Sequence, residues 1–359
     1  MKTGGMLYRI EGLRQFYGSK KVLDIHSFSI EQGKSLGLIG PNGSGKSTLL
    51  KLLAFAAAPS SGRIFYRGRQ THPFSPEVRS KVTLLTQTPY LLKRTVLDNV
   101  LYGLKIRRDT RNLKARVARA LGAVGLDFDQ FAPRMWHQLS GGEAQRVAMA
   151  ARLILKPQVL LLDEPVASVD THTARLIRKA SLKARDEWGT TLVTASHDLS
   201  WLFSATDSQI SIRHGHLFST GRQVMLTGPF QHQGSRIIRK LTDGQILILP
   251  QASAKTESPG PSGDGSQPEK LAIIKKKNIR LTRISGQSPR TEHQNSENHL
   301  IGMVSFLQRE KKPGHIMVRL DAADIEFDLS LDTETVSGLG LFPGLQVGIH
   351  FSAKDVSWV

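Results

Sequence analysis

Cysteine is absent from the 359-residue chain, which excludes disulfide scaffolds, thiol catalysis and cysteine-bound zinc or iron–sulfur centres. Long apolar runs are missing as well. The best of them, Leu49 to Ala58, falls far short of the ~18 to 20 residues a spanning helix needs. Met1 to Tyr8 lack the apolar stretch of a signal peptide, so a soluble cytoplasmic chain is expected. Acidic residues are outnumbered, 30 against 49 Lys and Arg, for a formal charge of +19. The excess is uneven: residues 1–220 carry +16 and residues 299–359 carry −3. A basic first part suits nucleotide phosphates, nucleic acid or an anionic membrane surface. A solvated basic face gives the same balance, so charge does not choose the function.

What is present is ordinary for a packed protein. Hydrophobic residues make up 39% and charged residues 22%, which excludes a wholly disordered or fibrous chain. The length points to two or three domains. Residues 1–230 read as one α/β unit, with apolar strands at Ser35–Ile39, Val82–Leu85, Val159–Leu162 and Thr191–Ala195 alternating with stretches of helical period. That pattern predicts a largely parallel sheet. Residues 231–297 read as an accessory β segment, with strands over Gln245–Leu249 and Lys270–Ile284 split by a Ser/Pro/Gly-rich loop over 251–269. Residues 298–359 alternate with period two: Ile316, Val318, Leu320; Ile325, Phe327, Leu329; Leu345, Val347, Ile349, Phe351. With a turn at Pro343–Gly344 they predict a small antiparallel sheet or barrel.

The strand ending at Ile39 runs into Gly40-Pro41-Asn42-Gly43-Ser44-Gly45-Lys46-Ser47-Thr48 and then a helix beginning with Leu49 and Leu50. This is the P-loop pattern in its strand–loop–helix context. Glycines 40, 43 and 45 let backbone N–H groups wrap a β-phosphate, and the following helix points its positive end at the same anion. Lys46 supplies a point charge for the β and γ oxygens, and the Ser47 hydroxyl is placed to ligate Mg²⁺. A second half-site comes from the apolar strand ending in Asp163-Glu164. Asp163 is expected to hold Mg²⁺, and Glu164 to act as general base on the attacking water.

Leu139-Ser140-Gly141-Gly142-Glu143-Ala144-Gln145-Arg146, some twenty residues ahead of that carboxylate pair, makes residues 7–220 resemble the ATP-binding subunit of ABC transporters. The resemblance implies a RecA-like core with a helical subdomain, with ATP and Mg²⁺ as ligands. It implies a homodimer in which Ser140, Gly141 and Gly142 complete the ATP site of the opposing subunit. It also assigns Tyr17 to adenine stacking and Gln87, at the end of a strand over Val82–Thr86, to sensing Mg²⁺ and water. Asp170 falls in the loop between the two sites, and His197 against the γ-phosphate. Thr88 to Val100 is where the family meets its membrane partner. With no catalytic position degenerate, working hydrolysis is expected.

The family also contains repair, chromosome and translation ATPases. The short gap from Lys46 to Ser140 leaves no room for the coiled coil of the first two, and a single ATPase unit differs from the usual two of the third. Transport then requires separate integral-membrane permease subunits and, for import, an extracytoplasmic solute-binding protein. It would place this chain at the cytoplasmic face of the membrane, with no nucleic-acid partner. Asn298–Ser305, Val318–Asp321, Leu339–Gly344 and Phe351–Val356 resemble the molybdate- or tungstate-binding form of the accessory barrel of importer ATPases, called TOBE or Mop-like. Lys51–Ala56 and Ser60–Phe65 are similar to tungstate importer subunits. Uptake of tungstate or molybdate is the expectation; sugar, polyamine or sulfate import, or an ATPase acting on nucleic acid, are the alternatives. That barrel commonly has threonine, serine and lysine around its oxyanion, where this chain has Asp332, Thr335 and Ser352. A carboxylate repels an oxyanion, so weak or absent binding by the barrel is expected.

Overall fold

The computed structural model describes residues 5–167, 169–219, 223–233, 236–251, 271–284, 298–310 and 313–358. Residues 252–270, nearly all of the Ser/Pro/Gly-rich loop, and residues 285–297 lie outside the described residues. The chain divides into two units, Met1–Phe218 and Ser219–Val359.

The first unit holds two sheets. One is antiparallel, in the order β2-β1-β4-β5, from β1 (Met6–Tyr17), β2 (Lys20–Glu31), β4 (Ser61–Tyr66) and β5 (Arg69–Gln70). The other runs β10-β9-β3-β8-β7-β6, from β3 (Ser35–Ile39), β6 (Val82–Leu85), β7 (Val159–Asp163), β8 (Thr191–Ala195), β9 (Ser208–Arg213) and β10 (His216–Ser219). Its β9-β3-β8-β7-β6 part is parallel. β3, β7 and β8 are buried at every position, as their unbroken apolar runs require. The parallel sheet was legible; the antiparallel one adds to it. β1 buries Leu7, Tyr8, Ile10 and Leu13, and register shifts beside Tyr8 and Phe16 break the period-two pattern that would mark it as a strand.

Helices α1 (Lys46–Leu53), α2 (Pro76–Arg79), α3 (Val96–Ile106), α4 (Leu113–Ala123), α5 (Phe128–Phe131), α6 (Gly141–Leu153), α7 (Thr171–Trp188) and α8 (Leu199–Ala205) complete this unit. α3, α4 and α6 pack on one another as a helical layer. The core joins both sheets to α1: Tyr8, Phe55 and Tyr66 pack as an aromatic cluster, and the buried Tyr8 hydroxyl donates to Leu53 O at 3.0 Å.

Asp109, between α3 and α4, accepts from Arg116 at 2.7 Å and from Arg111 at 3.2 Å. The Arg116 bond, then the Arg111 bond, holds its carboxyl down to about 2 from 3.8. A depressed folded-state value contributes stability above about pH 4 that is lost as pH falls toward 2. In acid unfolding followed by circular dichroism, Asp109→Asn should show a shallower loss of stability across that window; an unchanged acid limb would remove Asp109 from the balance.

The second unit is mostly β. β12 (Gln231–Gln233), β13 (Arg236–Lys240) and β14 (Ile246–Leu249) form one sheet. β11 (Gln223–Thr227), β15 (Leu271–Lys275) and β21 (Val356–Trp358) form another. A five-stranded sheet runs β16-β20-β17-β18-β19, from β16 (Arg280–Arg283), β17 (Asn298–Arg309), β18 (His315–Ala322), β19 (Ile325–Asp332) and β20 (Gln346–Phe351). Pairing therefore crosses position 298: β21 lies on β15 and β20 on β16. One apolar core collects Val224, Ile237, Leu247, Ile274, Phe327 and Phe351. Helix α9 (Thr333–Leu339), between β19 and β20, was not expected; Asp332 caps its start and Gly340, in the left-handed region, its end.

Candidate active site

β3 delivers the chain at Ile39 into a loop whose glycines are required by their surroundings. A Cβ at Gly40 would collide with the Ile212 carbonyl oxygen, and one at Gly45 would stand 2.6 Å from Leu23 Cδ2. Gly43 and Gly45 have φ of 78° and 103°, which only glycine adopts without strain. Pro41 O accepts from the Ser44 amide at 3.2 Å, which closes the turn over Asn42. The Lys46 ammonium lies back inside the loop, donating to Gly40 O at 2.7 Å and Pro41 O at 3.0 Å. Burial pulls this ammonium below its usual range, with Glu164 and then Asp163 opposing. Ser47 and Thr48 sit in the first turn of α1, whose N-terminal amides point at the loop.

The two half-sites meet. Ser47 Oγ donates to Asp163 Oδ1 at 3.0 Å. Burial raises the Asp163 carboxyl, the Ser47 bond opposes, and neighbouring Glu164 pushes it further up. A hydroxyl and a carboxylate at one point are the hard oxygen donors Mg²⁺ takes. The phosphate cradle also fits its ligand. Ser44 Oγ is buried without a hydrogen-bond partner among the described residues, and an uncompensated buried hydroxyl is a place for an acceptor oxygen.

Glu164 follows β7 with φ of 46°, a left-handed conformation that a non-glycine residue holds only under constraint. Its amide donates to Ala195 O at 2.9 Å, and its buried Oε2 stands 2.9 Å from His197 Nδ1 and 3.3 Å from the His197 amide. The turn aims the carboxylate across to the end of β8. Lys46, Ser47, Asp163, Glu164 and His197 thus gather at the carboxyl edge of the parallel sheet.

The other expected positions are each placed by their own element. Gln87 lies in the bend after β6, which ends at Leu85 and not at Thr86. Tyr17 ends β1 at the hairpin and is 54% exposed, open to a stacking partner. Ser140 caps α6: its Oγ accepts from the Glu143 amide at 3.3 Å, and Glu143 Oε2 accepts from the Ser140 amide at 2.8 Å. Gly141 and Gly142 form the first turn, and further along α6 Gln145 Nε2 donates to Pro165 O at 3.2 Å. Asp170 caps α7, accepting from the Thr173 amide at 2.9 Å and its hydroxyl at 2.7 Å, which lowers its pKa. Ser140→Ala should therefore cost about 1 kcal/mol of stability through the lost cap, measured by urea unfolding; no change would mean that the cap is dispensable.

Sequence reasoning missed the His197–Glu164 contact, because thirty-three positions separate the partners. In the second unit, the two positions that differ from an oxyanion barrel, Asp332 and Ser352, are engaged locally. Asp332 Oδ1 accepts from the Thr335 amide at 2.7 Å as the cap of α9, and Ser352 Oγ accepts from the Lys354 amide at 3.3 Å. Both side chains are held by local turns.

A family model described as ABC transporter matches residues 23–167. The tungstate uptake system ATP-binding protein of Peptoclostridium acidaminophilum is 33% identical over 213 residues, 59% of this chain and 97% of that protein. The molybdate/tungstate import ATP-binding protein of Pyrococcus horikoshii is 31% identical over 279 residues, 75% of this chain and 80% of that protein. Relatives at 38%, 35% and 38% identity are named for import of iron(III), spermidine/putrescine and sulfate/thiosulfate. Among solved structures, a bacterial ABC transporter cassette in dimeric form superposes with a TM-score of 0.54 at 26% identity, covering 59% of this chain and 96% of that one.

Proposed function

The chain belongs to the ATP-binding subunits of ABC transporters, the ATP-hydrolysing part of an importer, and from that premise we propose that its cargo is an oxyanion, tungstate or molybdate. One observation carries the choice of cargo. The alignment with the molybdate/tungstate importer subunit takes in 75% of this chain, reaching into the second unit, against 67% for the sulfate/thiosulfate subunit and 57% and 60% for the iron(III) and spermidine/putrescine subunits. The likeness to the oxyanion-type barrel in residues 298–359 supports the same cargo.

In the mechanism proposed, the loop amides, Lys46 and the α1 N-terminus hold the ATP phosphates, while Ser47, Asp163 and Gln87 hold Mg²⁺. The metal supplies charge neutralisation on the phosphoryl oxygens. Glu164, oriented by its left-handed turn, takes the proton of the attacking water, and His197 steadies both Glu164 and the γ-phosphate. Tyr17 stacks on the adenine. Two copies face each other, each offering Ser140, Gly141 and Gly142 to the other's nucleotide; the dimeric cassette supports this arrangement. A membrane permease docks near Thr88–Val100, where Tyr90 leaves 78% of its surface exposed. No described helix is long and apolar enough to cross a membrane, which fits the need for separate membrane subunits.

The second unit, with Asp332 and Ser352 engaged in caps, acts as a subunit contact and not as an oxyanion sensor. The test is hydrolysis by the chain reconstituted with its permease and solute-binding protein in liposomes. Tungstate or molybdate should stimulate ATP turnover, and sulfate, iron(III) and spermidine should not. Stimulation by one of those three in place of the oxyanions would overturn the cargo assignment and leave the ATPase reading standing.

A further inference from the structure

Away from the nucleotide, the first unit has a recess of about 820 Å³ walled by α4, the chain before it, and the C-terminal ends of α6 and α7. Its volume falls in the ~300–1,000 Å³ range of small-ligand sites. Six cations line it, Arg107, Arg111, Arg116, Arg119, Lys156 and Lys183, against two carboxylates, Asp109 and Glu187. None of these residues belongs to the ATP site.

Part of this charge has a structural purpose. Arg107 donates to Leu155 O at 3.0 Å and also to Ser80 O, and Arg116 donates to Ile154 O at 3.4 Å, so both complement the carbonyl end of α6. Asp109 is shared by Arg116 and Arg111, and Glu187 lies 3.6 Å from Lys183. That accounts for the two carboxylates and leaves the remainder without a counter-ion. Among the described residues Arg119 has no hydrogen bond or ion pair, and the Lys156 ammonium meets only the Trp188 ring, 5.6 Å from its centre. Burial and the neighbouring Arg116 both push the Arg107 pKa down, with Asp109 opposing.

We infer that this recess binds a small phosphorylated anion carrying two or more phosphate groups. The Arg119 guanidinium and the Arg111 nitrogens that Asp109 leaves free match phosphate oxygens two at a time, where lysines alone would act as point charges, and Arg107 and Arg116 add positive charge beside them. The excess of positive charge asks for an anion of high charge, and the indole of Trp188 offers an apolar wall to the rest of the molecule. The position also has a mechanical meaning. α6 and α7 both end at the recess, and their opposite ends carry Ser140–Gly142 and the Asp170 cap. A ligand here touches the far ends of the two helices that present those residues.

The test uses inorganic tripolyphosphate and the full chain with Lys46→Ala, which removes the competing loop cation. Calorimetry should show saturable binding of one tripolyphosphate per chain, at least about tenfold tighter than citrate. Adding R119E and K156E together should weaken binding by about tenfold or more, because two attractions become repulsions at exposed side chains with no structural hydrogen bonds. R111E, on the exposed segment before α4, should weaken it independently, which guards against misfolding of the double variant. Absence of saturable binding, equal affinity for citrate, or unchanged affinity in both charge-reversed proteins would each overturn the assignment.

Discussion

Glu164→Gln should bind ATP as the wild type does and hydrolyse it about 10²-fold or more slowly, the loss that follows removal of a general base. The substitution is nearly isosteric. A glutamine oxygen can accept from the His197 amide, now 3.3 Å from Glu164 Oε2, so the turn after β7 keeps one of its anchors. The loop contacts of Lys46 and the Ser47–Asp163 bond do not pass through residue 164, which is why affinity should persist. What disappears is the proton acceptor. With binding intact and hydrolysis blocked, ATP should hold two chains together, and size-exclusion chromatography should show a dimer that ADP does not produce. Normal hydrolysis by the variant would mean that the base lies elsewhere; His197 would then be the group to substitute next.

The core of this site could be read from the sequence because its chemistry is local. A phosphate cradle needs glycines at fixed spacing beside a lysine and a hydroxyl, and a metal-holding strand needs an unbroken apolar run ending in carboxylates. Both patterns occupy fewer than ten consecutive residues. The parallel strands were legible for the same reason: β3, β7 and β8 are buried on both faces and therefore continuously apolar. Contacts between distant segments were not. Nothing local pairs His197 with Glu164, or ties Gln145 to Pro165. The antiparallel sheet was hidden by its register shifts. In the second unit, helix α9 was written in Asp332, Glu334 and Gly340, a capped start and a glycine stop.

Gly141→Asp should leave the fold intact and the ATP affinity of the monomer within about twofold, yet lower turnover by about 10²-fold. Space does not require glycine at this position. A Cβ built on Gly141 meets nothing within 4 Å, and its φ lies outside the left-handed region. Inside a helix glycine is about 1 kcal/mol worse than alanine, and an aspartate in the first turn of α6 would favour the helix dipole. Within its own chain, then, the substitution should be neutral or mildly stabilising, and a urea titration should show no loss. The disadvantage has to come from outside the chain. If the open face of α6 closes over the nucleotide of a facing copy, a carboxylate there meets phosphate at the helix N-terminus, where attraction had been. The predicted signature is a separation of effects: stability kept, monomer binding kept, turnover and ATP-dependent dimerisation lost together. A parallel loss of monomer affinity would instead place Gly141 in its own subunit's pocket.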